Sequence, residues 1–301
     1  VRGTMANPGI SEIVVISGKG GTGKTSLAAS LAVLAQRAVI ADCDVDAADM
    51  HLLLAPEVHE RYEFVSGHEA VIRQEGCTGC GVCLELCRFG AVLKQGAADY
   101  RVDPVSCEGC GVCVHFCPAK AIDFPERACG EWMISRTRCG PMVHARLGIA
   151  AENSGKLVTT VRKEARRIAG EQGLPMIITD GPPGIGCPVI ASIGGADMVL
   201  VVTEPTVSGE HDLERVLALA RHFDVKAAVC VNKWDLNPAM TERIEEMSRQ
   251  AGVQLAGRIR YDAAFTAAQI RELTVVETGA DSAADIREVW KHINASGGWN
   301  G

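Results

Sequence analysis

The sequence predicts an α/β protein: a mostly parallel sheet with helices on both faces, interrupted by a small, cysteine-rich α+β insert. Three observations carry that expectation. Short apolar runs alternate with helix-patterned stretches along most of the 301 residues. A glycine-rich loop, Gly18-Lys19-Gly20-Gly21-Thr22-Gly23-Lys24-Thr25, stands between the first apolar run and the first helical stretch. Two cysteine quartets, Cys77-x2-Cys80-x2-Cys83-x3-Cys87 and Cys107-x2-Cys110-x2-Cys113-x3-Cys117-Pro118, then break the alternation.

Taken in order, residues 13–17 read as a short buried strand, 25–37 as a helix and 38–42 as a second strand. After an aspartate-rich turn at 42–49, residues 59–75 carry β-branched side chains without a helical period. Residues 131–138 read as an extended segment leading out of the insert. From 154 the alternation resumes: helix 154–172 with Arg and Lys on one face, strands 176–180 and 198–203, helix 210–223, strand 227–232, and a helix starting at Pro238 and running to 251. The expected division is a main domain in two parts, 1–74 and 127–301, with the insert at 75–126.

Composition narrows the function classes. A formal charge of −7 with no Lys/Arg run leaves no basic footprint for nucleic acid. No apolar stretch is long enough to span a membrane, and residues 281–295 have mixed charge without a basic apolar face. The opening residues Val1-Arg2-Gly3-Thr4-Met5 lack the apolar core of an export signal; whether 1–4 are native is left open. Eight of the thirteen cysteines fall into the two quartets, which points to thiolate ligands in a reducing cytoplasm rather than to disulfides.

The glycine-rich loop matches G-x4-G-K-[ST] in the context it requires, after a strand and before a helix. Its glycines, Gly18, Gly20, Gly21 and Gly23, let backbone N–H groups of the loop, including Thr22, turn toward phosphate oxygens. Lys24 is expected to neutralise the β- and γ-phosphates and the Thr25 hydroxyl to ligate Mg²⁺, with Ser26 and the helix N-terminus beside them. Asp42-Cys43-Asp44 ends the second strand, and Ile177-Ile178-Thr179-Asp180-Gly181-Pro182-Pro183-Gly184 ends a later one. Asp46 and Asp49 read as turn formers. Asn232-Lys233-Trp234-Asp235 follows another strand; the tetrapeptide looks like the guanine-reading motif of GTPases, while an asparagine there also contacts adenine in related ATPases.

The run from Lys19 to Thr25 resembles the deviant Walker A motif of the MinD/ParA and nitrogenase iron-protein class of P-loop ATPases. That resemblance implies a P-loop NTPase fold, ATP as nucleotide, and a nucleotide-sandwich dimer in which Lys19 reaches the partner's phosphates. It also implies that Asp44 orients the attacking water, that Asp180 holds a Mg²⁺-bound water, and that the Gly184 amide senses the γ-phosphate. Asn232 and Asp235 are then base contacts.

Both quartets have the spacing of bacterial two-cluster ferredoxins, and the repeated Cys-x-Gly-Cys-Gly-Val-Cys indicates internal duplication. Zinc is the main competitor for such cysteines, opposed by two full quartets at this spacing. In ferredoxins the fourth cysteine of each run ligates the other cluster. Two 4Fe-4S clusters are thus expected, one on Cys77, Cys80, Cys83 and Cys117, the other on Cys107, Cys110, Cys113 and Cys87. The first quartet ends in Cys87-Arg88 where a proline is usual.

Of the other cysteines, Cys43 and Cys230 read as core. Cys187 follows the Gly184 loop, where the nitrogenase iron protein has a ligand to a cluster bridging two subunits; Cys129 or Cys139 is the candidate second ligand here. His68, His115 and His144 lack metal-ligand spacing. The whole chain resembles MinD-superfamily ATPases carrying an inserted two-cluster ferredoxin domain. This implies a cytoplasmic homodimer, or a heterodimer with a similar ATPase, in which hydrolysis governs electron transfer or docking of a redox partner protein. The alternatives are an iron–sulfur assembly scaffold or carrier ATPase, a positioning ATPase of the MinD/ParA type with redox-sensing clusters, and an electron carrier with a vestigial nucleotide site.

Overall fold

A computed structural model describes residues 9–148 and 153–297, the side chains of 296 and 297 excepted; residues 1–4 lie outside them. In chain order, β1 (Ser11–Ser17) leads through the glycine-rich loop into α1 (Lys24–Ala35), followed by β2 (Ala38–Asp42), α2 (His51–Leu54) and β3 (Glu57–His68). The cysteine-rich stretch contributes β4 (Val71–Ile72), α3 (Val82–Leu86), β5 (Val92–Lys94), β6 (Tyr100–Val102), α4 (Val112–Phe116) and β7 (Ile122–Asp123). The hairpin β8 (Glu126–Thr137) and β9 (Gly140–Leu147) precedes α5 (Ser154–Gln172), β10 (Met176–Pro183), α6 (Cys187–Ile193) and β11 (Met198–Thr203). Last come α7 (Val207–His222), β12 (Lys226–Asn232), α8 (Pro238–Gln250), β13 (Gln254–Ile259), α9 (Ala264–Ile270) and α10 (Asp281–Gly297).

The chain divides into two compact units: Val1–Tyr62 with Trp132–Arg146 and Ser154–Gly301, and Glu63–Glu131 with Leu147–Asn153. The second is wider than the expected 75–126. Cysteine content marks only the cysteine-bearing loops, whereas the distal part of β3 and the start of β8 belong to the same unit.

The main unit is built on a sheet of order β13-β12-β11-β1-β10-β2-β9-β8-β3. From β13 to β9 every neighbouring pair is parallel. Alternation along β1 explains the two covered faces. Ile13 and Val15 point into the cluster that contains Leu27 and Leu31 of α1 and Ile286 and Val289 of α10. Val14 and Ile16 point into the other, with Val189 of α6, Leu213 and Val216 of α7 and Ile244 of α8. A strand buried on both faces reads as a continuous apolar run, which is why the central strands were visible in the sequence.

Parallel pairing also sets the site. Val15 is registered with Asp180, and Asp180 with Asp42, so the carboxyl ends of β1, β10 and β2 share one edge of the sheet. Nearer the opposite end, buried Glu12 accepts from Arg162 at 2.7 Å through each carboxylate oxygen, from Arg166 at 2.6 Å and from the Thr179 hydroxyl at 2.9 Å. Burial alone would raise the Glu12 pKa, but the two guanidinium groups outweigh it and hold the carboxyl below the usual value. This network pins α5 to β1.

The second unit has little regular structure: the antiparallel pairs β4–β7 and β5–β6 and two five-residue helices, α3 and α4. Each helix is preceded by a glycine in the left-handed region, Gly81 at φ 78° and Gly111 at φ 71°. The two halves of the duplicated sequence therefore repeat the same backbone turn, which only glycine adopts without strain.

Candidate functional site

At the carboxyl edge of the main sheet, the glycine-rich loop delivers Lys24 into a nest of carboxylates. Its Nζ donates to Asp180 Oδ1 at 2.7 Å and to Asp44 Oδ2 at 3.2 Å, and lies 3.4 Å from Thr25 Oγ1. Burial would lower the Lys24 pKa; Asp180 and Asp44 outweigh it and keep the ammonium above its ordinary value. Burial, opposed by Lys24, raises Asp44. Asp180 is fully buried, and its second oxygen, Oδ2, has no hydrogen-bond partner. A buried carboxylate oxygen without a partner is costly, and a hydrated divalent cation beside Thr25 would satisfy it.

The structure thus gathers Lys24, Thr25, Asp44 and Asp180. It adds Asp42, a residue that sequence reasoning noticed but gave no role. Asp42 is 1% exposed and receives the Asp44 amide at 3.2 Å; burial, then the neighbouring Asp180, push its pKa well up. It lies beneath the site, and its signal was the Asp-x-Asp spacing at the end of an apolar strand.

Four residues expected to meet nucleotide have protein partners in this structure. The Asn232 side chain points inward: Nδ2 donates to the Thr22 carbonyl at 2.7 Å and Oδ1 accepts from the Lys233 amide at 3.0 Å. Both ends of this amide brace the loop, and Gly23 leaves the room, since a Cβ there would lie 2.4 Å from Asn232 Nδ2. Asp235 is exposed, with one oxygen accepting the Tyr261 amide at 2.7 Å. The Gly184 amide donates to the Ser17 carbonyl at 2.8 Å, so sensing a phosphate requires that bond to open. Lys19 lies back along its own chain, 3.3 Å from Ser208 Oγ and 3.6 Å from Glu204 Oε2.

In the second unit the cysteines line two cavities. One, partly open to solvent, is walled by Cys77, Cys80, Cys83 and Cys117 with Ile72, Tyr100 and Ile122. The other, also partly open, is walled by Cys107, Cys110, Cys113 and Cys87 with Phe89, Val92 and Glu108. Each takes three cysteines from one quartet and the last from the other. The Ala121 amide donates to Cys117 Sγ at 3.3 Å. Among the described residues no three His, Cys, Asp or Glu side chains converge on a single-ion position.

The cysteines outside the quartets do not assemble. Cys187 is exposed at the first residue of α6. Cys139 sits in the two-residue β8–β9 turn, half-buried against the core cluster, next to Gly140, whose backbone approaches Ala38 at the start of β2. It therefore lies at the opposite end of the parallel strands from the Asp180 loop that leads to Cys187. Cys129 is buried in the second unit and donates to the Ser66 carbonyl at 3.0 Å. Cys43 and Cys230 are fully buried, and burial pushes the Cys230 thiol up to about 12. His68 stacks on Phe124, His115 meets the edge of Phe116, and His144 is buried and hydrogen-bonded to Ser135 at 2.7 Å.

Comparison with known proteins agrees with the geometry of the main unit. The profile of the CobQ/CobB/MinD/ParA nucleotide binding domain matches residues 13–275. The uncharacterized protein MJ0578 of Methanocaldococcus jannaschii is 33% identical over 231 residues, 76% of this chain and 80% of its own length. MJ0579 of the same organism is 25% identical over 232 residues, 75% of this chain and 81% of its own. In structure, the chain resembles the cell division ATPase MinD of Pyrococcus furiosus, with a TM-score of 0.58 at 17% identity over 95% of this chain and 99% of that one. It also resembles the septum site-determining protein MinD complexed with Mg-ADP from Pyrococcus horikoshii, with a TM-score of 0.60 at 14% identity over 96% and 98% of the two chains. With the phosphate loop, the strand-end carboxylates and the parallel sheet in place, the chain belongs to the CobQ/CobB/MinD/ParA nucleotide-binding family.

Proposed function

We propose that this chain is a cytoplasmic, dimer-forming Mg-ATPase whose insert holds two 4Fe-4S clusters, and that nucleotide turnover governs electron transfer with a redox partner protein. The observation that carries the reading is the pair of cysteine-lined cavities, each shared between the quartets, in a chain with an intact phosphate loop. Thiolates are the donors that iron–sulfur clusters take, and each cavity is lined by four cysteines. The structural relative bound to Mg-ADP supports nucleotide binding at the loop.

In this reading Lys24 leaves Asp180 and Asp44 for the β- and γ-phosphates. Asp180 and Thr25 then hold the magnesium of Mg-ATP, Asp44 orients the attacking water, and Lys19 reaches phosphate across the dimer. Fixed cations facing the transferring phosphoryl group need no reorganisation as its charge spreads. The Gly184–Ser17 bond is the contact that phosphate sensing would break. In the insert, Cys77, Cys80, Cys83 and Cys117 hold one cluster and Cys107, Cys110, Cys113 and Cys87 the other. When bound, these groups supply one-electron transfer at a potential set by surrounding hydrogen bonds and solvent access. Ile72, Tyr100 and Ile122 keep water from the first site; the Ala121 amide steadies the Cys117 thiolate.

The test is anaerobic purification followed by iron and sulfide analysis and ATP hydrolysis with the protein reduced and then oxidised. About eight irons and eight sulfides per chain, with hydrolysis that depends on redox state and collapses in Lys19→Met, is the expected result. Zinc in place of iron overturns the cluster assignment. Full iron with redox-indifferent hydrolysis returns the chain to a positioning or cluster-carrier role.

A further inference from the structure

Beside the phosphate loop, one carboxylate serves two lysines. Glu204, directly after β11, is 3.6 Å from Lys19 and 2.5 Å from Lys233, and Lys233 Nζ also lies 3.5 Å from the Gly21 carbonyl. Lys19 has a second contact, to Ser208 Oγ at 3.3 Å in the first turn of α7, where Thr206 caps the helix by accepting the Gly209 amide at 3.0 Å. The loop carrying Lys19 is packed against the same helix, since a Cβ on Gly18 would lie 2.3 Å from Asp212 Cβ. Lys19 is thus held on its own chain by the β11–α7 corner.

The geometry is lopsided. Glu204 is largely buried, with 15% of its side chain exposed, against 34% for Lys19 and 31% for Lys233. A largely buried carboxylate that loses its only cation pays the desolvation of an unpaired charge. Here Lys233, the nearer lysine, stays behind when Lys19 goes, so Lys19 leaves without stranding Glu204. Lys19 itself is flanked by Gly18 and Gly20, which restrict the backbone least. A partly exposed contact from a lysine between two glycines, backed by a nearer second counter-ion, is suited to release.

We propose that Glu204 is a positioning residue that keeps Lys19 turned away from phosphate in the empty site, with Lys233 as the counter-ion that remains once nucleotide draws Lys19 off. The proposal rests on the nucleotide reading above and adds a contact that nucleotide must break. It predicts that Glu204 acts only through Lys19.

The experiment is calorimetric titration of the full chain with a non-hydrolysable Mg-ATP analogue, in wild type, Glu204→Gln, Lys19→Met and the double variant. Glu204→Gln is expected to bind about two- to fivefold tighter, the range of a partly exposed ion pair. The gain is expected to vanish in the Lys19→Met background and to shrink at high salt. Ser208→Ala, which removes the other Lys19 contact, is expected to tighten binding by less, and serves if Glu204→Gln does not fold. Weaker binding in Glu204→Gln, or an equal change with and without Lys19, makes Glu204 a plain support of the loop and overturns the proposal. Wild-type protein that binds no Mg-nucleotide overturns the nucleotide reading itself.

Discussion

The two units are held together by different means. The main unit buries continuous apolar strands between two layers of helices, so its order is intrinsic to the chain. Among the described residues of the cysteine-rich unit the buried apolar side chains are few: Phe64, Ala70, Ala91, Val92, Tyr100, Ala121, Ile122 and Cys129, half of them no larger than alanine or cysteine. Its helices are five residues long, well short of independent stability, and its strand pairs are two or three residues long. Leu84, Phe89, Leu93, Val105 and Phe116 are exposed. Small units of this kind are held by cross-links or metal centres.

The largest expected effect follows from that contrast. On the proposed cluster assignment, removing iron with a chelator under reducing conditions is predicted to abolish protease resistance across residues 63–131 while the main unit keeps its resistance and its proposed nucleotide binding. Limited proteolysis with mass mapping reads both at once. An insert that stays protected without iron would show that its small core suffices, and the comparison would break.

The next effect belongs to the main unit. Glu12→Gln leaves Arg162 and Arg166 facing a neutral amide in a site where Glu12 is 1% exposed. Breaking one side of a buried ion pair costs about 3–5 kcal/mol. Chemical denaturation followed by tryptophan fluorescence is expected to show that loss, with the visible absorption of the insert unchanged. A loss of absorption alongside it would mean that the two units are not independent in stability.

The same physics decides what could be read in advance. Strands 38–42 and 198–203 were legible to the residue because burial on both faces makes an uninterrupted apolar run between turn-forming residues. β13, Gln254–Ile259, was not: its apolar side chains are interrupted by Gln254, Gly257 and Arg258, and pairing with β12 and cover from α10 make it a strand. Lys24, Thr25, Asp44 and Asp180 were legible because phosphate and magnesium chemistry demands those groups at strand ends. For Asn232 the sequence was silent on one point: a short motif does not say which way an amide turns, and here the side chain donates to the Thr22 carbonyl. Glu204 was invisible for another reason: it meets a lysine far away in sequence, and only the ordering of parallel strands brings them together.

A smaller effect tests the edge of the main unit with pH. Burial would raise Glu277, but its hydrogen bonds with Arg138 and Thr274 take it down to about 2 from 4.5. A carboxylate whose pKa is depressed on folding contributes stability above its unfolded pKa and loses it as pH falls through the folded one. The window is therefore between 4.5 and about 2. Allowing for partial exposure of both partners, Glu277→Gln is expected to cost about 2 kcal/mol at neutral pH. The gap from wild type should narrow as pH falls through that window, in denaturant titrations at several pH values. A gap that holds constant with pH would assign the loss to packing.

The smallest expected effect is also the one most informative about metal. Cys187 is exposed at the first residue of α6, after the Gly184 loop, and the resemblance to the nitrogenase iron protein made it a candidate ligand between subunits. Of its candidate companions, Cys139 is at the far end of the strands, and Cys129 donates to the Ser66 carbonyl. One thiolate per subunit gives a dimer two of the four ligands that a 4Fe-4S cluster takes. Cys187→Ser is therefore expected to leave iron per chain, thermal stability and the visible spectrum as in wild type, whereas Cys83→Ser is expected to lower iron by about half. A loss of iron in Cys187→Ser, seen only in the nucleotide-bound dimer, would mean that the γ-phosphate loop carries a ligand after all and that the insert is not the sole home of the metal.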